Sequence, residues 1–311
     1  MKTPQARYDR LTNRVFSLYS EGRQREALDL FARVDPELEA WSAELAHLQA
    51  CLLGCLGETT EALRVLQAAS DAGSWWDESI LTGDDDLAAL QDLPEFQQLV
   101  ELSRVRRVSD RTPPLIDMPV LANDPPAAGR NAVRVGGVVV ALHGAGQRAS
   151  HAARHWAGVL ELGYALISVE SSQLMSPMYR TWPDQASAAE DVAWALAQLP
   201  EELRGLPVIA AGFSAGGRAA LDWALTGRPV PVAGVVVLAP ALRGIPAAAQ
   251  GPLAPATILI GTDDDLLEVV DEGAAELASL GVTVERLPGL DHEFPPDFPA
   301  RLARLLPRSA G

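Results

Sequence analysis

Lysine is almost missing from this 311-residue chain, where Lys2 is the only one and arginine supplies the remaining basic side chains. Basic residues of either kind are also few, 25 against 41 acidic ones, for a formal net charge of −16. A surface of that sign repels phosphate backbones and anionic lipid, so neither nucleic acid nor a membrane is expected as a partner. Long hydrophobic runs are absent: nothing approaches the roughly 18 uninterrupted apolar residues of a membrane span. Residues 1–11 are polar and charged, without the apolar core of a signal peptide. The expectation is a soluble, cytoplasmic protein. Cysteine is scarce as well. Cys51 and Cys55 give no disulfide framework, and their four-residue spacing puts them on one helix face. No second pair completes a zinc site, so both read as small buried hydrophobes, and no metal ligand is assigned.

What is present is ample apolar material, 48% of the chain, over a length that suits two domains. Residues 1–110 read as helices, with apolar residues three and four apart over residues 8–20, 24–34, 37–56 and 60–69. The run from Glu21 to Leu28 aligns with that from Leu56 to Leu63, with Gly57 following Gly22 by 35 residues. Each unit has a turn glycine, then a small alanine (Ala27, Ala62), then a larger apolar residue (Phe31, Leu66). The alanine lets paired helices approach and the larger residue fills the space between them. This pattern resembles the tetratricopeptide repeat, although its aromatic positions are poorly kept and two units are fewer than a solenoid needs. A degenerate third unit over residues 75–102 is expected to cap the stack. Such a domain suits a protein or peptide partner, self-association, or simple packing against its neighbour. The stretch Val108 to Pro114 breaks the pattern, giving a helical-repeat domain over 1–110, a linker over 111–116 and a second domain over 117–311. A Pro- and Gly-bearing stretch over residues 123–129 reads as a surface turn.

From Leu115 onward short apolar runs alternate with helical patterns. Strands are expected over residues 138–142, 165–169, 208–211, 234–238, 257–260 and 282–287, and helices over 150–162, 186–199, 215–225, 266–280 and 299–306. Continuous Val/Ile/Leu/Ala runs bounded by glycine suit strands buried on both faces. The fold class is α/β: a doubly wound, mostly parallel sheet, preceded by the all-α domain.

Chemistry concentrates where the run Val208 to Ala211 enters Gly212-Phe213-Ser214-Ala215-Gly216. Gly-x-Ser-x-Gly between a strand and a helix holds a serine in strained geometry, clear of the sheet. A β-carbon at either glycine would collide with the neighbouring strand or helix. Serine needs a base within hydrogen-bond reach, and His292 is the only histidine after Ser214. An acid is expected after the penultimate strand, to accept the second imidazole N–H. There the chain reads Gly261-Thr262-Asp263-Asp264-Asp265. Only one of the three aspartates can face His292; Asp264 has the expected spacing, and the choice stays open between them. Asp291 is set aside because adjacent side chains diverge in an extended loop. Backbone donors for a developing oxyanion are expected at Ala215 and at Ala145, in the glycine-bearing loop His143-Gly144-Ala145-Gly146. That loop lacks the lysine and hydroxyl of a phosphate loop, so no nucleotide cofactor is expected. His143 reads as bracing the loop.

Together these segments resemble the α/β-hydrolase superfamily, in its carboxylesterase and dienelactone-hydrolase-like branch, over residues 115–311. The resemblance implies a catalytic triad of Ser214, Asp264 and His292, with Ala145 and Ala215 lining the oxyanion hole, and a small-molecule ester as substrate. It also implies that Glu170-Ser171-Ser172-Gln173, with Trp182 after it, forms the loop over the acyl pocket, Trp182 either touching substrate or propping the loop. Fewer than 20 residues separate Leu238 from Thr257, where lidded relatives carry a longer insertion, so an open cleft is expected. Peptidase or thioesterase activity would use the same groups, and an inactive hydrolase fold carrying a repeat scaffold is the alternative of another class.

Overall fold

A computed structural model describes residues 3–109, 111–119, 135–253 and 255–306; the turn expected over 123–129 lies outside them. The chain divides into two compact units, Met1–Ser109 with Leu174–Tyr179, and Asp110–Gln173 with Arg180–Gly311.

The first unit holds helices α1 (Pro4–Ser20), α2 (Gln24–Asp29), α3 (Ser42–Cys55), α4 (Thr59–Asp71), α5 (Glu78–Thr82) and α6 (Pro94–Arg106). The reversal between α1 and α2 is repeated bond for bond between α3 and α4. Arg23 N–H donates to the Leu18 carbonyl at 2.8 Å, as Glu58 N–H does to Leu53 at 2.9 Å. Gly22 and Gly57 sit at φ +71° and +74°, a left-handed geometry that glycine adopts without strain. Ala27 and Ala62 are fully buried. Two segments expected as α-helix are partly 3₁₀: Leu30–Arg33 ends the helix begun by α2, and Pro36–Trp41 precedes α3. Apolar spacings of three and four suit either period, and Pro36 at the segment's start has no N–H for a longer helix. Of the two cysteines read as buried, Cys51 is buried and Cys55 is exposed. Residues four apart share a face but stand one turn apart along the axis, and Cys55 is the last residue of α3.

The second unit is built on a seven-stranded sheet of β1 (Leu115–Asp117), β2 (Gly137–Leu142), β3 (Tyr164–Val169), β4 (Val208–Phe213), β5 (Gly234–Leu238), β6 (Ala256–Gly261) and β7 (Thr283–Leu287). The order is β1-β3-β2-β4-β5-β6-β7, and β1 alone runs antiparallel. Residues 115 and 116, read as linker, thus form an edge strand opposite Ser168 and Ile167 of β3; three residues are too few to show alternation. The strands β2, β3, β5 and β6 are buried along their whole length, because helices cover both faces. Those helices are α7 (Ala149–Trp156), α8 (Gly158–Glu161), α9 (Gln185–Ala197), α10 (Ser214–Thr226), α11 (Leu267–Glu272), α12 (Ala274–Ser279) and α13 (Phe298–Leu305). Two single helices expected from the sequence are pairs, α7 with α8 and α11 with α12. Residues 239–255, between β5 and β6, carry no helix or strand among the described residues.

Sheet order decides where loops meet. The connection from β2 runs to β3 on one side, while β4 lies on the other side of β2. Right-handed crossovers then put α7 and α8 on one face and α9 and α10 on the other. The loops that follow β2 and β4 leave the same edge at this switch point, side by side, where open α/β sheets bind ligands.

Candidate active site

Ser214 stands at the first residue of α10, directly after β4, with φ +53°. A left-handed conformation costs a non-glycine residue roughly 1–2 kcal/mol. The surroundings hold it there. A β-carbon on Gly212 would lie 2.3 Å from the Gly216 carbonyl oxygen, and one on Gly216 would lie 2.3 Å from that of His143. The corner between strand and helix is therefore tight enough to lift the Ser214 hydroxyl off the sheet. The Ser214 carbonyl accepts from Ala241 N–H at 3.1 Å, which ties the corner to the loop after β5.

The structure brings Ser214, His292 and Asp264 together. His292 Nε2 lies 3.0 Å from Ser214 Oγ, and its Nδ1 lies 2.9 Å from Asp264 Oδ2. With a carboxylate facing it, Nδ1 carries the proton and donates, so Nε2 is left to accept from the serine hydroxyl. Burial separates the three aspartates: Asp264 is only 4% exposed, while Asp263 and Asp265 face solvent. The other oxygen of Asp264 accepts the Leu266 N–H at 2.8 Å, fixing the carboxylate plane. Asp291 accepts the backbone N–H of His292 and makes no bond to the imidazole. The histidine loop is held against the end of β6 by Asp263 N–H, which donates to the Leu290 carbonyl at 3.0 Å.

Ala215 is the second residue of α10, and the first N–H groups of a helix have no intrahelical acceptor. In the loop after β2, Gly144 N–H donates to Gln147 Oε1 at 3.0 Å and Gly146 N–H to the Arg180 carbonyl at 2.8 Å. The N–H of exposed Ala145, between them, has no acceptor among the described residues. The positive end of the α10 dipole adds to a field that favours negative charge here.

His143 is buried, 1% exposed. Its Nδ1 donates to the Gly144 carbonyl at 2.8 Å, and its Nε2 accepts from Ser171 N–H at 3.2 Å. Burial drops its pKa to about 4, so the ring stays neutral and braces the loop. Trp182 is fully buried, and its indole N–H donates to the His143 carbonyl at 2.8 Å, so of its two expected roles it props the loop. Glu170 accepts from Arg148 at 2.8 Å and from Ala149 N–H at 2.6 Å. The segment it opens is held by Ser172, whose N–H and hydroxyl both donate to Asp191.

Sequence reasoning missed an aromatic support behind the imidazole. The Phe213 ring lies 4.8 Å from that of His292 and 4.9 Å from that of Phe294, on which His155 stacks at 4.1 Å. The signal was present, since Phe213 precedes Ser214 and Phe294 is two residues past His292, but only the fold shows that they touch.

A mostly parallel, doubly wound sheet with these loops at its switch point defines an α/β-hydrolase fold, carried behind a helical N-terminal region. Residues 7–111 match the family model described as A/B hydrolase-like, N-terminal domain. Among solved structures, the chain is similar to an uncharacterized protein from Bacillus cereus ATCC 10987, with 23% identity, 96% of this chain and 97% of that one covered, and a TM-score of 0.46. A Bacillus cereus carboxylesterase shares 18% identity over 55% of this chain and 87% of its own, with a TM-score of 0.44. A dienelactone hydrolase-like promiscuous phosphotriesterase from metagenomic libraries shares 21% over 55% and 76%, with a TM-score of 0.43. No curated protein matches the chain.

Proposed function

We propose that this protein is a serine hydrolase that cleaves a small carboxylic ester through an acyl-enzyme. The reading rests on the unbroken hydrogen-bonded chain from Asp264 through His292 to Ser214, a serine set at φ +53°. Ser214 Oγ attacks the acyl carbon while its proton passes to His292 Nε2, and Asp264 stabilises the imidazolium that forms. The N–H groups of Ala145 and Ala215 receive the oxyanion. The imidazolium then protonates the departing alcohol, and the same histidine deprotonates the water that releases the acid. No helix covers the site among the described residues between β5 and β6, which supports an open cleft suited to modest-sized substrates. The catalytic domain is taken as residues 117–311 together with Leu115 and Ile116 of β1, joined through residues 111–114 to a helical domain of 1–110.

A fluorophosphonate probe tests this directly. Native protein is expected to be labelled on Ser214, and Ser214→Ala is expected to lose labelling; an unlabelled native protein, or a labelled variant, overturns the assignment. Relative kcat/KM over nitrophenyl esters, thioesters and aminoacyl amides then places the acyl preference, with esters expected to lead.

A further inference from the structure

The helical unit carries a second cluster of chemical groups, remote in sequence from the serine. His47 and Cys51 lie one turn apart on α3, and Asp84 leads into the 3₁₀ turn Asp85–Leu90. One atom from each meets the other two: His47 Nε2 lies 3.6 Å from Cys51 Sγ and 3.4 Å from Asp84 Oδ2, and Cys51 Sγ lies 3.2 Å from the same oxygen.

We propose that His47, Cys51 and Asp84 form a binding site for a divalent cation of the zinc class, closed by water at the fourth position. Bond lengths of ~2.0–2.1 Å to nitrogen, ~2.3 Å to sulfur and ~2.0–2.2 Å to oxygen, at tetrahedral angles, require ligand atoms ~3.3–3.6 Å apart. The three observed edges are close to those of one face of that tetrahedron, and a turn of the His47 ring, whose Nδ1 also lies 3.8 Å from Sγ, brings the Nε2 lone pair onto the cluster. A thiolate and a carboxylate supply two negative charges for the dication, and the neutral imidazole supplies the third ligand. On binding, the Cys51 proton, now donated to Asp84, leaves to solvent.

The support around the ligands is of the kind a metal site has. Asp84 Oδ1 accepts the Asp86 N–H at 3.0 Å, leaving Oδ2 turned to the cluster. Gly54 brings α3 against the 3₁₀ turn: a β-carbon there would lie 1.9 Å from the Asp86 carbonyl oxygen. Side-chain exposures of 16% for His47 and 29% for Asp84 leave an entry path, with Cys51 at the back. Charge points the same way. Neither Asp84 nor Asp86 makes an ion pair with an arginine among the described residues, so their charge faces the cluster uncompensated by a guanidinium. A thiol nucleophile is the competing chemistry, but a relay needs base and acid on opposite ring nitrogens. Here the Cys51 thiol instead donates to Asp84 directly, at 3.2 Å, and the same carboxylate oxygen lies 3.4 Å from Nε2.

The test uses the untagged full-length chain, stripped with chelator and titrated with Zn²⁺ and Co²⁺. The expected result is one equivalent of zinc retained after dialysis, a thiolate-to-cobalt absorption band, and a zinc-dependent rise in Tm. Cys51→Ser is expected to abolish the band, and the near-isosteric Asp84→Asn, which keeps the Asp86 cap, to weaken zinc by at least about 100-fold. Cys55→Ser, whose thiol instead donates to Asp86, is expected to bind as the parent does. Sub-stoichiometric zinc without a band overturns the proposal. So does unchanged binding in Cys51→Ser or Asp84→Asn with native circular dichroism, and loss of binding in Cys55→Ser overturns the ligand assignment.

Discussion

Asp264 differs from its two neighbours in surroundings, not in chemistry, and its consequence is measurable. Replacing it with asparagine keeps the shape but offers the imidazole an amide, which favours the wrong tautomer and leaves the imidazolium unsupported. The expected loss in kcat is about 10³–10⁴-fold. Asp263→Asn, at an exposed position with a bond only to Thr262 among side chains, is expected to keep near-parent activity. Ester hydrolysis by the two variants checks the pair, and equal losses would contradict the assignment. At this scale the sequence was informative about residue types and order, and silent about direction. Three consecutive aspartates have one composition and three orientations, set by how the turn after β6 buries its middle residue. His47, Cys51 and Asp84 were unreadable for a related reason: a zinc site shows in sequence as paired cysteines or histidines, while the completing ligand here lies beyond both α4 and α5.

At the scale of elements, the corner from β4 into α10 does the positioning. Gly216→Ala would set a β-carbon 2.3 Å from the His143 carbonyl oxygen and 2.4 Å from that of Leu142. Both are backbone atoms, so the start of α10 must shift. Overpacking of this kind costs roughly 1–3 kcal/mol, and a displacement near 1 Å at the reacting atom costs about 10²-fold in rate. A lower Tm together with slowed fluorophosphonate labelling is the expected outcome; a normal labelling rate would mean that the corner is not what places Ser214. Elements themselves were largely legible. Buried parallel strands declare themselves as continuous Val/Ile/Ala runs, and β4 differs from its expected span only by adding Gly212 and Phe213. What escaped were the three-residue β1, too short to show alternation, and the 3₁₀ turns over residues 30–33 and 36–41, whose apolar spacing an α-helix shares.

For the whole molecule, acid is the informative variable. His143 titrates at about 4 in the folded protein against an ordinary 6.5, because burial disfavours its charged form. Between those values the unfolded chain binds the extra proton and the native chain does not. The contribution is therefore complete above 6.5 and is lost progressively as pH falls towards 4, by an amount of about 3 kcal/mol. Urea unfolding at a series of pH values is expected to show a shallower acid slope for His143→Gln than for the parent over this window. Parallel slopes would show that the ring is not held neutral. The carboxylates titrate in both proteins, so the comparison isolates the imidazole.

The segment Leu174–Tyr179 packs with the helical unit although the sheet-bearing unit precedes and follows it in sequence. Glu44 on α3 accepts from Ser176 Oγ at 2.5 Å and from Met178 N–H at 2.9 Å. The polypeptide consequently crosses between the units after Ser109, before Leu174 and after Tyr179. A protease that nicks the first crossing leaves the N-terminal fragment still clasped around a hexapeptide belonging to the other piece. The two parts are stitched rather than strung together, and cutting the chain at any one crossing leaves at least one unit built from both pieces.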